Sequence, residues 1–261
     1  MMTLLLVLAV LAAMVGGAVL AVGRFRVDDE SSGGAVSVVV APCVLALYLA
    51  SAAMGVVIGW ENFTGAGDGL TEETGAADAL YWSTTAFPDE EAEEVRQQLR
   101  AYMSAVAEKD WPLMRAEGEL STEGEEALAD LAASVRALSV SDTGDDLDRL
   151  TARQELAELS DARIERADAA GDGIPSVLNG IAALSAIAVA VLPFAMIRRG
   201  SAVAYFWASA NLIFVFATIL LLFYLGNPYN GALAHDAGAI QDALAGFERI
   251  DASLDASSNP Q

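Results

Sequence analysis

Carboxylates are the residues of this chain with the most chemical capacity, yet their arrangement does not describe a reaction centre. The densest group is Asp142, Asp145, Asp146 and Asp148. A calcium loop needs ligands at its first, third, fifth and twelfth positions and a glycine at the sixth, and this group does not fit. It reads as the solvated start of a helix. Residues Asp89–Glu94 likewise suit a helix N-terminus, where negative side chains meet unpaired N–H groups. His235 is the single histidine, which excludes a His–His zinc site and a His-based triad within one chain. Cys43 is the single cysteine and lies in an apolar run, so no intramolecular disulfide or Cys-rich metal site is available. There is no P-loop and no G-x-G-x-x-G cradle. The expectation is a protein that is not an enzyme, with no metal and no cofactor.

Polar residues inside apolar runs are the better lead, because a lone amide in lipid is costly and faces protein. Asn179 and Asn211 are two such residues. They line a pore or bond between helices, and the sequence leaves both readings open. Pro42 sits within another apolar run, where proline is tolerated as a kink. Gly55 and Gly59 form a GxxxG pair that permits close helix approach.

These residues need membrane helices to hold them. Four runs carry no charge: Met2–Val22, Ala35–Trp60, Pro175–Ile197 and Ala202–Leu225. Each is at least as long as the roughly 20 residues that cross a hydrocarbon core. The first lacks the basic n-region of a signal peptide and reads as a retained helix. The expected fold class is all-α: four transmembrane helices, with a helical extramembrane domain inserted between the second and third. The boundaries follow as 1–60 for the first two spans, 61–174 for the domain, 175–225 for the last two spans, and 226–261 for a short amphipathic segment and disordered tail.

The domain itself reads as helices throughout, with no β-alternation. A Gly-rich connector at Gly65–Gly69 precedes a helix over Thr71–Phe87. Pro88 opens the next helix, whose apolar face is Val95, Leu99, Tyr102, Met103 and Val106. Trp111-Pro112 is expected to close it, since proline restricts the residue before it. Thr122 to Glu125 matches a capping box, followed by a face of Leu128, Leu131, Val135 and Leu138. A helix over 145–170 carries Leu147, Leu150, Leu156, Leu159 and Ile164. In the tail, Ile240, Leu244, Phe247 and Ile250 form an amphipathic stretch.

Charge sits mainly in this domain. The whole chain carries 36 Asp or Glu against 14 Lys or Arg, a formal −22, and residues 61–174 hold 28 acidic and nine basic residues, a net −19. Nucleic acid is disfavoured as a partner, since phosphate binding needs clustered Lys and Arg. A high-salt habitat explains such a surface, because screening shortens to about 3 Å at 1 M salt. Lys109 is the only lysine, as in a GC-rich genome. The short loops hold Arg24, Arg26, Arg198 and Arg199, whereas the domain flanks hold Arg163 and Arg166. By the rule that basic residues stay cytoplasmic, the acidic domain is expected outside the cell membrane.

Glu73, Leu80-Tyr81, Pro88, Tyr102 and Trp111-Pro112, followed by Gly171–Pro175 and Asn227-Pro228-Tyr229-Asn230-Gly231, stand at spacings that resemble the bestrophin-like membrane proteins of prokaryotes, a family of unknown function. The last stretch is similar to an Arg-Pro-Phe-x-Gly pattern, with Asn227 where a basic residue is usual. That departure bears on any anion-attracting role of the position. The likeness covers nearly the whole chain. It implies the architecture of true bestrophins, which are pentameric anion channels with a pore lined by the second span and the helical domain in the cytosol.

Two functions follow as expectations. The first is a homo-oligomeric passive ion channel with a helical vestibule, with the anion preference implied by the resemblance alone. The second is a non-conducting sensor or scaffold that binds a partner through Leu128–Leu138.

Overall fold

A computed structural model of the chain describes residues 40–139, 143–171, 173–197, 202–230 and 233–258. The expected first span, Arg24, Arg26, Arg198, Arg199, Asp142, Gly231 and the last three residues of the tail lie outside the described residues. The described residues are all-α. The helices are α1 (Ala41–Ser83), α2 (Asp89–Ala105), α3 (Trp111–Glu117), α4 (Thr122–Ala137), α5 (Thr143–Gly171), α6 (Ser176–Met196), α7 (Ala202–Leu225) and α8 (Gly238–Ser258). They divide into two compact units, 1–60 with 174–226 and 61–173 with 227–261, and α1 contributes to both.

Three helical stretches among the described residues are long and apolar enough to cross a membrane, with their apolar windows in α1, α6 and α7. In the first unit these pack through small and branched residues: Tyr48 and Ala52 against Ala186, Val189 and Ala190, with Ala208, Leu212 and Val215. Their other sides are apolar and exposed, as at Leu184, Phe214 and Phe223. That is the pattern of helices solvated by lipid, where the backbone satisfies itself and side chains need no water. The hydroxyls obey the same constraint. Ser51 Oγ donates to Tyr48 O at 3.1 Å and Ser185 Oγ to Ile181 O at 2.7 Å.

The second unit has one core, built on Leu80, Tyr81, Leu99, Tyr102, Met103, Leu131, Val135 and Leu159, and completed by Tyr229, Ile240 and Phe247 of the C-terminal segment. The segment expected as an amphipathic piece is thus α8, and Phe247 stacks on Tyr81 with ring centroids 4.3 Å apart and planes 5° from parallel.

Four expectations change here. Gly65–Gly69 is not a connector but lies inside α1. Each glycine costs a helix about 1 kcal/mol relative to Ala, and the packing of Ala66 and Leu70 in the core offsets it. Gly67 also admits the imidazole of His235, whose Cε1 would sit 2.8 Å from an added Cβ. Trp111-Pro112 does not end the helix that starts at Asp89. A π-turn at Val106–Asp110 links α2 to α3, and the Trp111 N–H reaches back to Val106 O. Such a wide turn accepts a proline that an ordinary ladder would reject. The chain stops only at Gly118, in the left-handed conformation with φ 74°. Third, the cap of α4 is Ser121, one residue before the expected box; its side chain accepts from Gly124 N. Finally, Leu147, Leu150 and Ile164 of α5 are exposed, and the buried residues of that helix are Ala152, Leu159, Ala162, Arg163 and Arg166.

The GxxxG pair is tightly enclosed. A Cβ on Gly55 would lie 2.9 Å from Leu222 Cδ2, and one on Gly59 would lie 2.8 Å from Leu225 Cβ. Gly59→Val is therefore expected to cost about 1–3 kcal/mol through overpacking. Size-exclusion after heating in detergent would read it as an earlier loss of the monodisperse peak. A Gly59→Val variant that melts like the parent would contradict the close approach of α1 and α7.

Candidate functional site

Four charged side chains meet in the core of the second unit. Glu73, Asp110, Arg163 and Arg166 are 0%, 0%, 7% and 1% exposed. Their formal charges cancel. Three constraints on the chain bring them together. Glu73 lies on the buried side of α1 among Leu70, Ala76 and Ala77. The π-turn adds a residue to the helix, which turns Asp110 inward beside Trp111. Arg163 and Arg166 are three residues apart on α5, and so share a face.

The geometry is a continuous chain of charge-assisted bonds, Glu73–Arg166–Asp110–Arg163. Arg166 grips Glu73 with two donors: Nε to Oε2 at 2.6 Å and Nη2 to Oε1 at 3.0 Å. The same Nη2 donates to Asp110 Oδ2 at 3.0 Å, and Nη1 lies 3.0 Å from Met114 Sδ. Arg163 pairs with the same Oδ2 through Nη1 and donates Nη2 to Ser121 O at 3.2 Å. The other oxygen of Asp110 accepts from Ser121 N at 2.9 Å and Ser121 Oγ at 2.6 Å. Gly124 completes the enclosure, since a Cβ there would stand 2.6 Å from Asp110 Oδ1. Tyr102 donates its hydroxyl to Glu73.

Electrostatics follow from these contacts. Burial pushes the Asp110 carboxyl up, but the bonds from Ser121 and Arg163 and the two guanidinium charges outweigh it and leave it below the ordinary value. A depressed carboxyl stabilises the fold above its ordinary range and loses that contribution as pH falls through its folded value. Burial alone would lower Arg166, yet Glu73 and Asp110 hold it above the usual arginine value. Burial, with the charge of Glu73, raises Tyr102.

Tyr229 borders this network. Its ring meets Trp111 edge-on at 5.5 Å, and burial pushes its hydroxyl up to about 12. Among the described residues that hydroxyl has no hydrogen-bond partner. The segment around it is fixed by Tyr229 N to Asn227 Oδ1 at 3.1 Å, Asn230 Nδ2 to Arg115 O at 3.1 Å and His235 N to Pro228 O at 2.9 Å. His235 Nε2 lies 2.9 Å from Phe63 O, with the rings stacked at 4.5 Å.

The residues singled out from sequence fall in distinct places. Glu73, Tyr102, Trp111 and Tyr229 converge on the network. Tyr81 is buried in the core and meets a second, partly exposed pair: it donates to Asp251 Oδ1 at 2.7 Å and lies under Arg100, with that guanidinium carbon 5.2 Å from the ring centre. Pro88 and Pro175 are N-caps of α2 and α6, and Pro112 is in the first turn of α3. Pro228 is buried and Pro42 exposed. Asn211 donates Nδ2 to Val189 O of α6 at 3.0 Å, while Asn179 donates to Ile174 O at 3.2 Å. Asp110, Ser121, Arg163 and Arg166 were missed as a site. Arg163 and Arg166 are not surface charges near a span end, so they carry no information about orientation. The signal available in sequence was an arginine pair at three-residue spacing on an otherwise acidic helix. Among the described residues, no group of three or more His, Cys, Asp or Glu could hold a metal.

A helical chain with three such apolar stretches and a separate core closed by buried ion pairs is an all-α membrane protein. Residues 5–235 match the family described as Bestrophin-like domain, and the chain belongs to that family. Its fold is similar to that of a mutant bacterial bestrophin homologue from Klebsiella pneumoniae, with a TM-score of 0.70 at 12% identity, covering 91% of this chain and 98% of the other. No curated protein matches it.

Removing one partner of a buried pair costs about 3–5 kcal/mol, because a charge is left unpaired. Arg166→Met should therefore lower the melting temperature by about 10 °C. Adding Glu73→Gln should recover most of that loss, since Asp110 keeps Arg163. Tyr229→Phe, which deletes an unpartnered hydroxyl, should melt no lower than the parent. Equal losses in the single and double variants would contradict the pairing.

Proposed function

We propose that the protein is a homo-oligomeric ion channel of bestrophin type. The observation that carries this reading is family membership over 5–235 joined to a shared fold over 91% of the chain. The helices offered to lipid support it. None of α6, α7 or the first 20 residues of α1 contains Asp, Glu, Lys or Arg. A passive pore with an apolar constriction needs no charge at the midplane, whereas a proton-coupled transporter does. Five copies follow from the resemblance to true bestrophins, and so does an anion preference. The net −19 of residues 61–174 opposes that preference, because a negative surface enriches cations.

Proteoliposomes holding the purified chain under a KCl gradient decide it. Chloride flux above that of empty vesicles, with a reversal potential near that of Cl⁻, is the expected result. A reversal potential near that of K⁺ would replace the anion preference with a cation preference. Flux of neither ion would remove the channel reading and favour the sensor or scaffold.

The four arginines expected in the short loops, Arg24, Arg26, Arg198 and Arg199, favour an acidic unit outside the cell, in contrast to the cytosolic domain that the resemblance to true bestrophins implies. A thiol at the exposed Gln97, in a Cys43→Ser background, should react with an impermeant reagent on intact cells. Reaction only after lysis would reverse the orientation.

A further inference from the structure

The C-terminal helix α8 meets two carboxylates where it lies on the acidic unit, and only one of them is paired. Asp251 of α8 pairs with Arg100 of α2 and accepts from Tyr81 of α1. Asp78 stands about one turn before Tyr81 on α1 and faces α8 at Gly246. That glycine is buried, and a Cβ on it would lie 3.5 Å from Asp78 Oδ1. The same oxygen is buried, and among the described residues it has no hydrogen-bond partner. Arg249 brings its Nη2 to within 3.6 Å of that Cβ position but remains exposed. Covering an ionised carboxylate without giving it a donor is costly, and covering a neutral carboxyl costs much less. Around this point the helix is seated by apolar contact, with Ile240, Ala243 and Phe247 buried.

We propose that Asp78 is a proton-operated latch for α8: the helix closes on α1 while this carboxyl is neutral and loosens when it ionises. Burial raises the Asp78 carboxyl above its ordinary value, and the charge of Arg249 lowers it only in part. The proton is therefore bound more tightly with α8 docked than with α8 lifted. Docking is strongest below the ordinary carboxylate range, weakens as pH rises from there to the docked value, and is constant above it. Of the neighbouring charges, Arg249 acts on Asp78, whereas Arg96, Arg100 and Asp251 act on Tyr81. Asp251 gives the opposite response, since a proton on it would release Arg100 and loosen α8 in acid. Loosening takes Phe247 off the Tyr81 ring and bares the apolar seat beneath. The latch goes beyond ion conduction and does not depend on it.

Hydrogen–deuterium exchange of the full-length chain in detergent tests this, read by mass spectrometry on peptides from α8. Parent and Asp78→Asn are compared at each pH, so that the intrinsic chemical rate and the contribution of Asp251 cancel. At about pH 7 the parent is expected to exchange α8 at least about twofold faster than Asp78→Asn, and the ratio should fall toward one by about pH 4.5. Arg249→Gln, at an exposed position, removes the charge that favours the ionised form and should widen the pH response. Asp251→Asn should speed exchange of α8 in both backgrounds, which verifies that the readout follows docking. Unchanged exchange in α4 peptides checks that each variant folds. A ratio that does not vary with pH overturns the proposal. So does faster exchange of α8 in Asp78→Asn than in the parent at about pH 7, or a pH response that Arg249→Gln narrows.

Discussion

The water-facing unit is organised around an electrostatic debt that it cancels internally. Desolvating one ion costs several kcal/mol even after relaxation. Two carboxylates and two guanidiniums buried together would be prohibitive unless every oxygen had a donor. Here each does. Both oxygens of Glu73 are held by Arg166, and both oxygens of Asp110 by Ser121, Arg163 and Arg166. By contrast, the exposed pair of Arg149 with Asp146 is worth about 0–1 kcal/mol. A network of this kind adds little net stability over a well-packed apolar core. What it does is penalise any arrangement in which α1, the π-turn and α5 are not in register. That is specificity rather than strength.

A different solvent governs the first unit. Its helices expose large apolar side chains such as Leu184, Phe214 and Phe223, which water would not select, and bury alanines and serines beside Leu212, Val215 and Leu222. In lipid the apolar surface gains nothing by hiding, so association relies on close approach and on hydrogen bonds between helices. Gly55 and Gly59 supply the first at α7. Asn211 supplies the second, and its bond to Val189 O satisfies an amide that lipid could not.

Much of this was legible beforehand. The three described apolar helices stand out because a charge in lipid is costly and their sequences avoid it. The amphipathic faces of α2, α4 and α8 follow the 3.6-residue period. Glu73, Tyr102, Trp111 and Tyr229 were marked as a set by their spacing, without an indication that they meet. The rest was not visible, for physical reasons. A helix tolerates Gly65–Gly69 only because Ala66, Leu70 and His235 pack around it, a tertiary compensation that propensity ignores. Pro112 was read as a stop because the turn that absorbs it leaves no local mark. Arg163 and Arg166 looked like surface charges because arginine is rarely buried without a partner, and their partners lie 53 to 93 residues away in sequence.

The wide turn at Val106–Asp110 makes the number of residues in the chain a structural constraint in its own right. One added residue advances everything after it by about 100° around the helix axis. Deleting a single codon there would swing Asp110 out toward solvent and carry Trp111 and Met114 with it. Length in this stretch therefore matters more to the fold than identity: the exposed side chain of Glu108 can change without moving Asp110, whereas the number of residues between Tyr102 and Asp110 cannot.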